Sequence, residues 1–529
     1  MSSTSLGSNP TPTPTPTPTP SPTPSSIDVT TYHYDNLRTG QNLNEITLTT
    51  ANVSQARFGK LGELIVDGKV DALPLYLSNV SMPSVGAKNV LYVATEHGSV
   101  FAFDADNARG NAAQPLWKIS TQLPGEGPSD DRGCGQVTPE IGITSTPVID
   151  RARGAIYVVS VSKDGSGHYF HRIHALDLTS GKELFGGPTT ITATYPGNGA
   201  GSSGGNVVFD PAQYNERPGL LEINGTIYTT WGSHCDIGAY TSWMMAYSAD
   251  TLKQTGVLNL VPNGSDGGIW MSGTAPAADA AGNIYFLIGN GSFDTVLSTN
   301  GFPSHGDCGN CYVKVTSTAP LSLLDYFTPL NTVAESNVDG DLGAGGPLLL
   351  PDVTDASGKV RHLATGSGKD AIIYVLDRDN MGKFSAAQNN VYQQISGELA
   401  GAECGKPSYF NGTVYYGAVG DSIKAFPISS AMLATTPSST TAVQFLYPGA
   451  TPAISANGTN NGILWAVENA TPGVLHAYDA TNLATELYNS NQASGGRDQF
   501  SGNKFITAMI ANGKVFVGTP NSVAVFGLL

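Results

Sequence analysis

The stretch NVLYVATEHGSVFAFDADN, residues 89–107, carries the pattern on which the chain is built. An apolar run alternates at period two, turns sharply through polar residues, and returns as a second run ending Ala-aromatic-Asp. Alternation at period two belongs to strands packed on their faces, and helical stripes at 3.6 spacing are scarce along this chain. The same ending, strict or degenerate, recurs in RIHALDLTSGK (172–182), MMAYSADT (244–251), YVKVTS (312–317), IYVLDRDNMGK (373–383), IKAFPIS (423–429), LHAYDATN (475–482) and VAVFGLL (523–529). Each copy follows another strand, such as GAIYVVSVSKD (154–164) or GILWAVENA (462–470). Antiparallel strand units repeated every few tens of residues predict a β-propeller. The last copy ends at Leu529 with no outer strand after it, and FGKLGELIVDG (58–68) stands unpaired before the first full unit. Pairing the two would close a ring and remove its exposed edges. The expectation is therefore all-β: a single eight-bladed β-propeller of four-stranded blades, residues 30–529, closed by an N-terminal outer strand. The longest insertions, near 106–145, 194–217 and 291–311, should lie on one face and build a site.

Composition agrees. Charged residues are only 13% of 529, against 63 Gly and 22 Tyr, which suits turn-rich β structure. The formal charge of −16 and the lack of any basic run exclude nucleic acid as a partner. There is no apolar run of about 18 residues, hence no membrane span. Residues 1–29 read as a disordered Thr/Pro-rich leader and spacer, whose Thr-Pro repeat is stiff and extended. Such a spacer implies an export signal ahead of Ser2, with a lipoprotein signal and lipid anchor as one form of it. The expected location is periplasmic, cell-surface or secreted. DCGNC (307–311) is a Cys-x-x-Cys followed by Tyr312, not by the His of a haem attachment site, and reads as a local disulfide. Five cysteines, Cys134, Cys235, Cys308, Cys311 and Cys404, leave at least one unpaired within the chain.

The segments YDNLRTGQNLNEITLTTANVSQARFGKLGELIVDG (34–68), LPLYL (73–77) and the stretch 89–120 resemble the opening of the quinoprotein alcohol dehydrogenases. These are eight-bladed propellers that bind pyrroloquinoline quinone (PQQ) and calcium or a lanthanide on the axis. The resemblance runs over nearly all of residues 32–529. It places Trp270, in GGIWMSG (267–273), under the cofactor ring, and Asn290, in the Gly-flanked turn GNG (289–291), on the metal. Glycines let the backbone approach, and the indole offers a flat face. YFTPLNTVAESNVDGDLGAGGPLLLP (326–351) resembles the stretch with the catalytic aspartate, here Asp339 and Asp341. One would take the alcohol proton and the other would ligate the metal. GSGKDAIIYVLDR (366–378) places Lys369 on the quinone oxygens, where a cation stabilises charge on the reduced ring.

Two departures stand out. Cys134, at the place of the family's adjacent-cysteine lid over the cofactor, is followed by Gly135, so that lid does not form. The family's metal-binding Glu, sought in SVSKDGSGHYFHRIHALD (160–177), has no counterpart beyond Ser166 and Asp164.

Other polar groups carry weaker readings. His168 and His174 share a strand face and form a candidate transition-metal pair. WGSHCD (231–236) reads as a loop lining the axial pocket, with a nucleophile system as the lesser alternative. Glu96, His97, Arg497 and Asp498 are candidate axial or rim residues. Two functions emerge. One is an exported quinoprotein-type oxidoreductase acting on a small alcohol or sugar hydroxyl. The other is a non-catalytic cell-surface propeller that binds protein or polysaccharide through its loop face. A propeller hydrolase or lyase is a distant third.

Overall fold

The computed structural model describes residues 1, 27–110 and 113–529. Most of the expected leader lies outside the described residues. Val29 is already 1% exposed and exchanges backbone hydrogen bonds of 2.7 and 2.9 Å with Tyr76.

The described chain is all-β. Its strands form eight sheets of four or five strands, one three-stranded sheet and one two-stranded sheet. One short α-helix, Thr332–Asn337, is present among the described residues. Within each larger sheet the main strands run antiparallel in chain order, while Gln41–Asn42 adds a parallel pairing beside Ala453–Asn457. The strands that lead these sheets are Leu75–Met82, Val148–Asp150, Leu221–Ile223, Ala277–Ala278, Leu348–Leu349, Ser408–Phe410, Ala453–Asn457 and Met509–Ala511. The strand Phe58–Ile65 lies antiparallel beside Ser522–Leu528, in the sheet led by Met509–Ala511. Asp498 secures this junction: its carboxylate accepts the Lys60 N–H at 2.9 Å and pairs with Arg497 at 2.6 Å.

The many tyrosines have a structural reason. A Tyr in the second strand of one sheet donates its hydroxyl to a carbonyl in the turn of the next. Tyr92 reaches Leu178 at 3.0 Å, Tyr157 reaches Ala249 at 2.9 Å, and Tyr415 reaches Ala480 at 2.7 Å. Tyr228 makes the same contact with Ser317. The acceptor sits just after the repeated Ala-x-Asp ending or its equivalent. The apolar ring fills the space between sheets while the hydroxyl keeps a partner.

Residues 29–42 tie the sheets together from the inside. Besides Val29 with Tyr76, backbone N–H groups of Ile149, Ala278, Leu349, Tyr409 and Ile454 donate to Thr30, Asn36, Leu37, Thr39 and Gly40. Arg38, fully buried, donates to Pro276 O at 2.8 Å and Leu220 O at 3.5 Å. Asn42 donates to Ile510 O at 2.9 Å. One segment thus reaches a residue in or beside the leading strand of every larger sheet. Lys406, also fully buried, spends its ammonium on this segment, donating to Arg38 O and meeting His33 Nδ1 at 3.0 Å.

Candidate functional site

Two kinds of connection approach the same end of the sheets. One leads into each leading strand; the other joins the second and third strands of the same sheet. Antiparallel order puts both at one end. A cavity of about 300 Å³ opens there. Arg217, Trp270, Asp341, Cys404, Tyr447 and Phe505 reach it from connections of the first kind. Asp236, Asn290 and Lys369 come from the second kind.

Trp270 is seated by glycine. A Cβ at Gly232, Gly268 or Gly289 would come within 3.0, 2.9 and 2.7 Å of the indole. No other residue could hold the ring so close to three backbones. Tyr240 meets it edge-on, at a centroid distance of 6.4 Å. The chain then turns through Met271, Ser272 and Gly273 with φ of 42°, 49° and 84°. Two consecutive non-glycine residues with left-handed φ store strain, as occurs where a side chain is aimed for function. Ser272 Oγ donates to Ala344 O at 2.8 Å, tying the turn to the Asp341 loop.

Asp341 is 1% exposed. Lys369 Nζ lies 2.9 Å from its Oδ1 and also pairs with the exposed Asp339. The 2.9 Å contact is an ion pair without hydrogen-bond alignment, and among the described residues neither Asp341 oxygen has a hydrogen-bond partner. Burial raises the Asp341 pKa, opposed by the Lys369 charge. For Lys369 burial opposes the charge, but Asp341 and Asp339 outweigh it and raise the pKa. The Lys369 backbone N–H donates to Asp341 O at 2.8 Å. Gly368 permits this, since a Cβ there would lie 2.4 Å from that same oxygen.

Behind the cavity lies the loop Cys308–Cys311, closed by a disulfide as expected for a local pair. Asn310, fully buried with φ of 55°, works in several directions. Its Oδ1 accepts the N–H of Leu342, next to Asp341, at 2.7 Å, and its Nδ2 donates to Glu335 at 2.9 Å. Its own N–H donates to Gly289 O at 2.8 Å, next to Asn290. Burial pushes the Glu335 carboxyl up to about 7.

Of the sequence-predicted residues, Trp270, Asn290, Asp339, Asp341 and Lys369 line one cavity. Cys134 does not line it but bonds to Cys235, which does. The adjacent-cysteine lid is absent as read, yet a disulfide linking residues 101 positions apart stands at the cavity wall. No residue of 160–177 lines the cavity, and Asp236, in WGSHCD, supplies a carboxylate to it. Cys235 is consumed in its disulfide, which removes the nucleophile alternative. Arg217, which packs over Phe505 at 5.2 Å, was also missed. Loop residues carry no periodicity, so only the three-dimensional fold gathers them.

The remaining candidates fall away. His168 is exposed and pairs with Asp164, whereas His174 is buried between Glu183 and Ser160. Glu96 is buried, accepting Gly142 N–H and the Thr144 hydroxyl, and lies off the cavity wall. His97 pairs with Glu140.

No family model and no curated protein matches the chain. Its fold is that of solved quinoprotein dehydrogenases. A quinohemoprotein alcohol dehydrogenase from Comamonas testosteroni superposes with a TM-score of 0.59 at 16% identity, over 95% of this chain and 80% of that one. A second, ADHIIG from Pseudomonas putida HK5, gives 0.60 at 13% over the same shares. A europium-containing methanol dehydrogenase gives 0.58 at 12%, over 96% of this chain and 99% of the other. At these identities the likeness establishes the fold. No described helix is long and apolar enough to cross a membrane.

Proposed function

We propose that the chain is an exported quinoprotein-type oxidoreductase that binds PQQ and calcium or a lanthanide in this cavity and oxidises an alcohol or sugar hydroxyl. Its eight larger sheets are the blades of one ring, closed where Phe58–Ile65 joins Ser522–Leu528. The observation that carries the reading is the seat of Trp270, a planar side chain held by three glycines at the wall of a cavity that also gathers Lys369, Asp341 and Asn290.

The donor chemistry fits the groups implied. Asp236, Asn290, Asp339 and Asp341 offer oxygen, the ligand that hard cations take. The Asp341 oxygens, ion-paired to Lys369 but without a hydrogen-bond partner among the described residues, could take a cation or a substrate hydroxyl. Trp270 would lie against the PQQ ring, with Lys369 and Arg217 facing its oxygens. PQQ, when bound, accepts the hydride equivalent from the carbinol carbon. The protein's own part is to hold the hydroxyl against Asp341, whose carboxylate takes its proton, while Lys369 steadies negative charge beside it. Tyr447 and Phe505 add apolar surface to the same space.

One observation favours the non-catalytic reading, a surface propeller binding protein or polysaccharide. Among the described residues no three acidic, His or Cys side chains converge as a metal site, and Lys369 already neutralises both aspartates. Titration of PQQ-free protein with PQQ plus calcium, and separately with a lanthanide, decides between the two. Saturable quenching of Trp fluorescence, lost in Trp270→Ala, is expected. Absence of saturation at any PQQ concentration would sink the oxidoreductase reading.

A further inference from the structure

On the outer side of the Asn290 turn lies a second hollow of about 320 Å³. Asn290 lines both hollows, so the two adjoin at that residue. One wall is the helix Thr332–Asn337, which contributes Val333, Ser336 and Asn337. Asp266, Ser292 and Phe293 also line it. The volume is within the range of small-molecule sites, about 300–1,000 Å³.

The lining restricts the ligand. No Lys, Arg or His is among the described residues that form it, so a phosphate or carboxylate would meet Asp266 with no counter-charge. A hydrocarbon would strip water from a carboxylate, carboxamides and several hydroxyls without replacing its hydrogen bonds. A neutral polyhydroxyl molecule meets neither penalty. Each of its hydroxyls donates and accepts, Asp266 accepts from adjacent hydroxyls, and the carboxamides of Asn290 and Asn337 do both. Phe293 and Val333 offer apolar surface to its C–H face. Existing bonds set the walls in place: Ser336 Oγ accepts Gly291 N–H at 3.3 Å, and Ser292 Oγ accepts Ser265 N–H at 3.0 Å.

We propose that this hollow is a carbohydrate or polyol subsite, which holds the non-reacting hydroxyls of a substrate whose reacting carbon lies beyond Asn290 in the main cavity. This rests on the oxidoreductase reading for the second half of the sentence only; the ligand class is read from the hollow's own lining.

Calorimetric titration of the PQQ-free full chain with methyl α-glucoside, inorganic phosphate and 1-propanol tests it. Saturable binding is expected for the glucoside alone. Asp266→Asn, which keeps the shape and tolerates the φ of 65° there, and Asn337→Ala should each weaken it about fivefold, and together more than tenfold. Both variants should keep the wild-type circular dichroism and the wild-type response to PQQ. Failure of the glucoside to saturate, tighter binding of phosphate or propanol, or unchanged affinity in the double variant overturns the subsite. Glucoside binding that is lost in the variants, in a protein that ignores PQQ, upholds the subsite and removes the oxidoreductase reading.

Discussion

Three glycines around one indole make a sensitive probe. Adding a methyl group at Gly289 brings it to 2.7 Å from Trp270 and forces the ring outward. Gly289→Ala should cost about 1–3 kcal/mol in urea unfolding and abolish the PQQ response while leaving the strands intact. A second residue reports on pH. Glu403 is fully buried, and burial pushes its carboxyl up to about 8. The folded protein therefore holds a proton that the unfolded chain releases near the usual carboxylate value. Stability from this group is full below that value and is lost as pH rises toward 8. Glu403→Gln should flatten that decline and exceed wild type at pH 8, by an amount on the order of a few kcal/mol. Parallel melting curves for the two proteins from pH 5 to 8 would refute it.

At the scale of single elements, the disulfide loop Cys308–Cys311 has the longest reach. It is a four-residue ring whose one Asn braces the Asp341 loop, the Asn290 turn and the helix carrying Glu335. Replacing both cysteines by serine should speed hydrogen exchange in segments 286–292 and 335–346 together, with little change in sheets on the far side of the molecule. A change confined to 308–311 would show that the ring braces nothing. The sequence announced this element as a local disulfide but not its use, because Asn310 acts on residues 21 to 32 positions away through backbone groups that no pattern marks. The strands were legible for the opposite reason. Their apolar alternation is local, and the Ala-aromatic-Asp ending or its degenerate form recurs with it. The cavity was half legible: Trp270, Asn290, Asp339, Asp341 and Lys369 sit in Gly-rich turns that stand out, and WGSHCD read as a pocket loop without a role for its Asp236, whereas Arg217 sits in a connection without a distinguishing neighbour.

For the whole molecule, residues 29–42 are the shared strut. Arg38 is the centre of that segment, with no exposure and donor bonds to Thr31, Tyr32, Pro276 and Leu220. Arg38→Ala leaves buried carbonyls unpaired and a void, and should cost about 3 kcal/mol or more in denaturant unfolding. The loss should appear as one cooperative transition, because every larger sheet touches the segment. The strut also imposes an order in time. Residues 29–42 emerge early from the ribosome, yet Asn42 bonds to Ile510 and Tyr32 meets Thr507. That segment cannot complete these contacts until the chain through Ile510 has been made. Contacts spanning so much sequence slow folding and prolong the exposure of unpaired strand edges. For this protein the vulnerable interval runs from the synthesis of that segment to the synthesis of the sheet led by Met509–Ala511.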